Sequence, residues 1–385
     1  MNGKDLFRGL SYISRKYIDE AERDTISDGK GAYEAPKGGK KLLHKTLLIA
    51  AVIATMLFLM GAAVYTHWSG SMQHRYNPTE NAKQQAEKTG LSVMYEESKP
   101  EDGSILSATD QGITVSVVQT LVDPSIAQIV LKVEGFTPPE DFKVEPWAWM
   151  DTPATLGGDE HFWSSFNFRF DNGIIQNDTG EYIYTDGTPV EEIVEGEYQE
   201  IFRKGRYIKE DGSLELVLWY AFADNSGAYF GKEMELHFTG FGTNTQVGKA
   251  NADFEKTVDG HWDLRFPLNG SNENIQASPN MRLSDNLTLT KAEIGQTLIK
   301  AWYKTDNYWA GWEQMEPLNP DLKGVKLKDG TLVKFYPGTN GYEDQDELIY
   351  FSEYRIMDAM LELDQVESLV YHDQKNNTDI DVPLS

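Results

Sequence analysis

The sequence predicts a mainly β protein, with a short N-terminal amphipathic helix, one transmembrane helix and then two antiparallel β-sandwich domains. Three observations predict this fold. The 19 Tyr, 17 Phe and 9 Trp supply the large side chains that are enriched in strands. Segments of alternating apolar and polar residues recur beyond residue 110, and one long apolar run precedes them. Because 385 residues exceed what one hydrophobic core usually organises, two or more domains are expected.

The formal net charge of −26 is distributed unevenly along the chain. Residues 1 to 45 hold ten Lys and Arg against seven Asp and Glu, a net charge of +3, whereas the remainder holds 25 against 54, a net charge of −29. Such an acidic surface repels phosphate backbones, so nucleic acid is not an expected partner and solubility is the simplest role of the acidity. The absence of cysteine excludes disulfides, thiolate metal ligands and cysteine nucleophiles.

The first 45 residues contain one predicted amphipathic helix, from about Lys4 to Arg23. Its apolar residues follow an i, i+4, i+7, i+11 pattern and are Leu6, Leu10, Ile13 and Tyr17. A helix of this length cannot bury its apolar stripe against itself. We therefore expect the stripe to bind a partner protein or to lie on the membrane surface, and these four residues are the predicted partner-binding site.

A transmembrane helix is predicted over residues 46 to 66. No Asp, Glu, Lys or Arg occurs from Thr46 to His74, and about 20 apolar helical residues are enough to cross the hydrocarbon core. Lysines precede the run and only Arg75 follows it closely, so the positive-inside rule places residues 1 to 45 in the cytoplasm and the C-terminal region outside. A cleaved signal peptide is the main alternative, but its basic region would be unusually long. A buried core helix would need a polar face, which is missing.

Residues 67 to 90 are predicted to form a polar stalk with a short helix from Thr79 to Lys88, and residues 91 to 270 a first β-sandwich domain. The turn Asp123-Pro124-Ser125 joins strand candidates at Ile113 to Val117 and Ile126 to Val133, which indicates a hairpin. The other strand candidates are centred on Phe166 to Phe170, Leu214 to Tyr220, Met234 to Phe238 and Trp262 to Leu268.

Residues 271 to 385 are predicted to form a second, unlike β-sandwich domain, after a polar boundary at Asn269 to Asn274. Asp329-Gly330 indicates a hairpin turn, and a helical turn is predicted from Asp364 to Leu369. The strand candidates are Leu283 to Leu289, Thr297 to Tyr303, Val325 to Leu327, Leu332 to Phe335, Leu348 to Phe351 and Ile380 to Leu384.

Several segments resemble a family of Gram-positive bacterial single-pass membrane proteins that carry a domain of unknown function and are often associated with extracytoplasmic-function sigma factors. The segments that carry the resemblance are Met1 to Leu6, Tyr17 to Ala21, Ala82 to Leu91, Asp110 to Val115, Asp259 to Phe266 and Leu363 to Leu369. The resemblance implies immunoglobulin-like outer domains and an anti-sigma-like role in which the cytoplasmic helix holds a sigma factor. The chain has no cysteine and so lacks the zinc-binding helical domain of anti-sigma factors.

No catalytic, cofactor or metal site is predicted, because phosphate loops, nucleophile elbows and zinc-helix motifs are missing from the sequence. Acidic clusters at Asp344 to Glu347 and at Asp379 and Asp381 supply oxygen ligands that suit calcium, although solvated turns explain them more simply. The densest aromatic stretch offers ligand-stacking candidates, with core packing as the alternative. These aromatic residues are Trp302, Tyr308, Trp309 and Trp312.

Together these features favour a non-enzymatic, membrane-anchored extracytoplasmic sensor or regulator whose cytoplasmic helix binds a sigma factor or another regulator. Because a lone transmembrane helix has no bundle to switch, signal transfer would need proteolysis, clustering or tension. The alternative is a cell-surface adhesion or cell-wall-binding module without signalling. An extracytoplasmic hydrolase is a third and more distant hypothesis, which would require a cleft with paired carboxylates.

Overall fold

The computed structural model of the protein describes residues 68–95, 103–138, 145–150, 154–177, 179–190, 201, 204–244, 254–284, 286–306, 321–356, 359–373 and 376–384. The predicted cytoplasmic helix and the predicted transmembrane helix at residues 46 to 66 lie outside these ranges. None of the helices within the described ranges is both long and apolar enough to span a bilayer.

The described residues are mainly β, which confirms the predicted class, and they contain two short helices, α1 (Gly70–Tyr76) and α2 (Glu80–Thr89). The first strands are β1 (Ser92–Met94), β2 (Ser107–Asp110), β3 (Ile113–Val122), β4 (Ile126–Glu134), β5 (Glu145–Met150), β6 (Thr155–Leu156), β7 (Trp163–Phe170), β8 (Ile174–Gln176), β9 (Tyr182–Tyr184), β10 (Leu214–Phe222), β11 (Lys232–Asn244) and β12 (Phe254–Leu268). The later strands are β13 (Ile275–Ala277), β14 (Met281–Ser284), β15 (Leu287–Ile294), β16 (Leu298–Thr305), β17 (Asp321–Leu327), β18 (Leu332–Val333), β19 (Phe335–Asp344), β20 (Ile349–Ile356), β21 (Val366–Asp373) and β22 (Thr378–Pro383).

The strands up to β12 form two large sheets and a separate two-stranded sheet of β8 and β9. The first has the order β1-β3-β4-β10-β7 with β2 also paired to β3, and the second has the order β12-β11-β5 with β6 also paired to β11. Alternate residues of these strands point to one face, and the inward faces of both sheets contribute to a single hydrophobic cluster. Leu216, Leu218 and Tyr220 enter it from β10, and Phe238 and Trp262 enter it from the second sheet.

Two hydrogen bonds join β12 of the second sheet to the hairpin of β2 and β3 in the first. The buried indole Nε1 of Trp262 in β12 donates to the carbonyl oxygen of Ile113 in β3, at 2.9 Å. A carboxylate oxygen of Asp110 accepts from the backbone N–H of His261, also at 2.9 Å. The segments Asp110 to Val115 and Asp259 to Phe266, which carry part of the family resemblance, therefore contact each other in the fold.

The hairpin between β2 and β3 depends on a turn that requires positive φ angles. Gln111 and Gly112 have φ values of 48° and 77°, as expected for a two-residue type I′ loop. Gly135, at the end of β4, lies against this turn with a φ of 81°. A Cβ atom at residue 135 would overlap the carbonyl oxygen of Gly112, so only glycine fits there.

The strands from β13 onward form two further sheets. One has the order β13-β15-β16-β20-β19 with β14 also paired to β15, and the other has the order β18-β17-β21-β22. Both contribute to a second hydrophobic cluster. At its centre the hydroxyl of Tyr303 lies 3.2 Å from that of Tyr354 and 3.0 Å from that of Tyr371, which gives these buried phenols hydrogen-bond partners. Both pairs of sheets belong to one compact unit, Val64–Ser385.

The helices α1 and α2 occupy most of the segment that was predicted to be a stalk. The Thr79 side chain caps α2 by accepting from the N–H of Ala82 at 3.1 Å, and Gly90 ends the helix with a φ of 78°. The predicted helix from Thr79 to Lys88 is therefore confirmed within one residue. Apolar side chains of the segment are buried in a third cluster with Leu121, Val130, Val217 and Met360, and these are Trp68, Met72, Tyr76, Ala82, Ala86 and Leu91.

Most of the predicted strands are present near their expected positions, but one predicted element is wrong. The helical turn expected from Asp364 to Leu369 is limited to a 3₁₀ turn over Leu363–Gln365, and β21 begins at Val366. Val325 of β17 pairs with Leu369 of β21. Residues 366 to 369 therefore form a strand because they pair with a segment that is distant in the sequence.

Candidate functional site

The strongest candidate site is a polar cleft of about 280 Å³ where the two pairs of sheets meet. It is lined by the β3–β4 turn, the segment between β12 and β13, the β15–β16 turn and the end of α2. We call it the junction cleft. Representative lining residues are Thr89, Asp123, Asn225, Gln276, Gln296 and Lys300.

Asp123 fixes one wall of the junction cleft. One of its carboxylate oxygens accepts from the backbone N–H groups of Ser125 and Ile126 at 2.8 and 2.9 Å, which is how an aspartate stabilises a tight turn. The other oxygen accepts from the hydroxyl of Thr297 at 3.0 Å, across the boundary between the two pairs of sheets. Burial raises the pKa of Asp123, and the positive charge of Arg355 opposes this shift.

Glu353 is a second buried carboxylate at the same boundary. It accepts from the hydroxyl of Ser125 at 3.3 Å and from the side-chain amide of Asn225 at 2.9 Å. The ammonium group of Lys300 lies 3.8 Å from it. The same ammonium group lies 5.1 Å from the ring centroid of Trp302, within cation–π distance. The boundary is therefore joined by a hydrogen-bonded ionic network in which the buried charges have partners.

The helix α2 contacts both pairs of sheets and ends at the junction cleft. Its C-terminal residue Thr89 and the following Leu91 line the cleft. The buried side-chain amide of Gln296, another lining residue, donates to the carbonyl oxygens of Ala82 in α2 and Leu361, both at 3.1 Å. A shift in the wall of the cleft at Gln296 would therefore act directly on α2.

Comparisons with known proteins add little to this picture. No protein-family model matches the chain, and no curated protein matches it. Among solved structures, a crystal structure of a conserved domain protein from Bacillus anthracis is similar at 10% sequence identity, over 77% of this chain and 95% of that chain, with a TM-score of 0.33. A likeness of this degree carries no argument about fold or function.

The residues that the sequence predicted as a functional site are mostly outside the described ranges. The helix residues Leu6, Leu10, Ile13 and Tyr17 lie there, and so do the aromatic residues Tyr308, Trp309 and Trp312. Trp302 is described, and its side chain is only 8% exposed. Its Nε1 donates to Glu343, and the ammonium group of Lys291 lies 4.3 Å from its ring centroid.

The acidic clusters that suit calcium are engaged in local contacts. Asp344 accepts from the backbone N–H groups of Asp346 and Glu347, as in an ordinary turn. Asp379 lies 2.7 Å from His372, and Asp381 lies 2.6 Å from Lys326. Within the part of the chain that the structure describes, no group of three or more His, Asp or Glu residues is arranged to hold a metal ion.

The junction cleft was not predicted from the sequence. The local pattern predicts a turn at Asp123 and a domain boundary at Asn269 to Asn274, which are local properties of these residues. The boundary composition was the one signal present, because ligand sites often lie where domains meet.

Proposed function

We propose that the protein is a membrane-anchored sensor or regulator. In this proposal residues 46 to 66 cross the membrane, the β-sheets lie outside and bind a cue, and residues 1 to 45 bind a cytoplasmic regulator in an anti-sigma-like manner. We also propose that each pair of sheets is a β-sandwich of the immunoglobulin-like type, which the shared hydrophobic cluster of each pair supports.

One observation carries the proposal: the segment that follows the predicted transmembrane helix is packed against the β-sheets, and its helix α2 ends at the junction cleft. Trp68 and Met72 are already buried, with exposed fractions of 8% and 1%. The indole Nε1 of Trp68 donates to Glu87 of α2 at 2.8 Å. A cue bound in the cleft would therefore act on the folded segment that follows the predicted transmembrane helix in the sequence.

The proposed binding of residues 1 to 45 to a cytoplasmic regulator is tested by affinity purification of the tagged full-length chain from cross-linked cells. We expect a cytoplasmic regulator, such as a sigma factor, to copurify. Ile13→Asp places a charge on the apolar stripe and should reduce recovery at least about tenfold, because a charge desolvated in an apolar interface is costly. Ser11→Asp adds the same charge on the polar face and is the matched control.

Two results would contradict the proposal. One is that no regulator is enriched, or that Ile13→Asp and Ser11→Asp recover it equally. The other is an inverted topology, in which protease added to intact cells removes an N-terminal tag and leaves the β-sheets untouched. If the β-sheets retain the protein on purified cell wall while no cytoplasmic regulator copurifies, a wall-binding module without signalling is the better explanation.

A further inference from the structure

The lining of the junction cleft is dominated by neutral hydrogen-bonding groups. Ten of its eighteen lining residues carry a side-chain amide or hydroxyl, while three carry a carboxylate and one an ammonium group. Amides and hydroxyls both donate and accept, and they match ligands that present many hydroxyls or amides. The lining therefore favours a neutral polar ligand over an apolar one.

The charged groups of the cleft are largely compensated by the protein itself. Asp123 accepts three hydrogen bonds from the turn and Thr297. Glu293 forms an ion pair with Lys291 at 2.7 Å, and the ammonium group of Lys300 faces Glu353. A charged ligand at Asp123, Glu293 or Lys300 would have to displace one of these partners, so these three groups disfavour simple anions and cations. The carboxylate of Glu273 is exposed at the rim.

The rim of the cleft holds side chains that are available to a ligand. Asn272 and Gln276 are exposed, and their side-chain amides make no hydrogen bond to the described parts of the chain. The side-chain N–H groups of Gln296 donate to the carbonyl oxygens of Ala82 and Leu361. The side-chain oxygen of Gln296 therefore remains as an acceptor for a ligand. Leu298 adds an apolar contact beside these polar groups.

We propose that the junction cleft binds a neutral, hydroxyl-rich ligand of the saccharide class. The hydroxyls of such a ligand contact Asn272, Gln276 and the Gln296 oxygen, and a face of its C–H groups packs on Leu298. This inference rests on the proposed function, because it names the class of cue that the extracytoplasmic region recognises.

The test is a titration of the full-length chain in nanodiscs with two neutral oligosaccharides, N,N′,N″-triacetylchitotriose and maltotriose, by isothermal calorimetry. Spermidine and citrate serve as cationic and anionic comparisons. We expect saturable binding of at least one oligosaccharide with a Kd below about 1 mM, which is the weak end of specific binding. Asn272→Ala and Gln276→Ala should each weaken it about fivefold, the range for one net hydrogen bond.

Asn167→Ala is the matched control, because Asn167 is exposed on β7 and does not line the cleft. The inference is overturned if neither oligosaccharide binds, if a charged comparison binds more tightly, or if both rim substitutions leave affinity unchanged. Because no cytoplasmic partner is present in the titration, a failure here leaves the copurification result intact. Likewise, if no cytoplasmic regulator copurifies, a measured saccharide affinity still stands.

Discussion

Glu145, the first residue of β5, is a buried carboxyl whose ionisation should change the stability of the fold with pH. It is 6% exposed, and burial raises the pKa of its carboxyl from 4.5 to about 7, against the opposing charge of Arg169. Between these two pKa values the folded state holds a proton that the unfolded state has released. Ionisation of Glu145 therefore destabilises the fold as pH rises through this window, and this destabilisation is absent below it.

The expected magnitude follows from the difference between the two pKa values of Glu145, 4.5 and about 7. At about 1.36 kcal/mol per unit, ionisation costs the fold about 3 kcal/mol at pH 8 and almost nothing at pH 4. Glu145→Gln keeps the shape of the protonated acid without the ionisation. The variant should therefore match the natural protein near pH 4 and exceed its free energy of unfolding by about 3 kcal/mol near pH 8.

The assay is urea unfolding of the purified full-length chain in detergent micelles, followed by tryptophan fluorescence at both pH values. Glu210→Gln removes an exposed carboxyl and is the matched control. The expected destabilisation by ionised Glu145 is refuted if Glu145→Gln gives the same stability difference from the natural protein at pH 4 and pH 8. It is also refuted if the variant is the less stable protein at pH 8.

Three further substitutions test other contacts by the same unfolding measurement. Trp262→Phe leaves the Ile113 carbonyl without its indole donor and should cost about 2 kcal/mol, whereas a loss under about 0.5 kcal/mol would contradict a role in joining the sheets. Gly135→Ala should cost at least about 2 kcal/mol, because it combines a left-handed φ with a clash, and an unchanged stability would refute this account. Thr297→Val removes a donor to buried Asp123 and should cost about 1 to 3 kcal/mol, while a more stable variant would speak against that bond.

Much of the strand order could be predicted because its signals are local. The β3–β4 hairpin follows from Asp123-Pro124-Ser125, whose turn chemistry does not depend on distant residues. The start of β21 could not be predicted in this way, because Val366 to Leu369 becomes a strand by pairing with β17 about forty residues earlier. Short strands such as β1 are similarly defined by their partners.

The candidate site was harder to predict than the strands. Trp302 lies on β16, which is buried on both faces, so alternation could not separate an exposed ring from a core ring. The junction cleft combines residues as distant in sequence as Thr89, Asp123 and Lys300. The local sequence pattern at each of these positions does not predict that the other two lie nearby in the fold.

The third hydrophobic cluster has a practical consequence for recombinant work on this protein. Leu121, Val130 and Val217 are covered by the helices that precede β1. An expression fragment that starts at Leu91, where the first predicted domain begins, would uncover these side chains on the outer face of a sheet and invite aggregation. Fragments intended for crystallisation should begin before Trp68, so that the sheet keeps its helical cover.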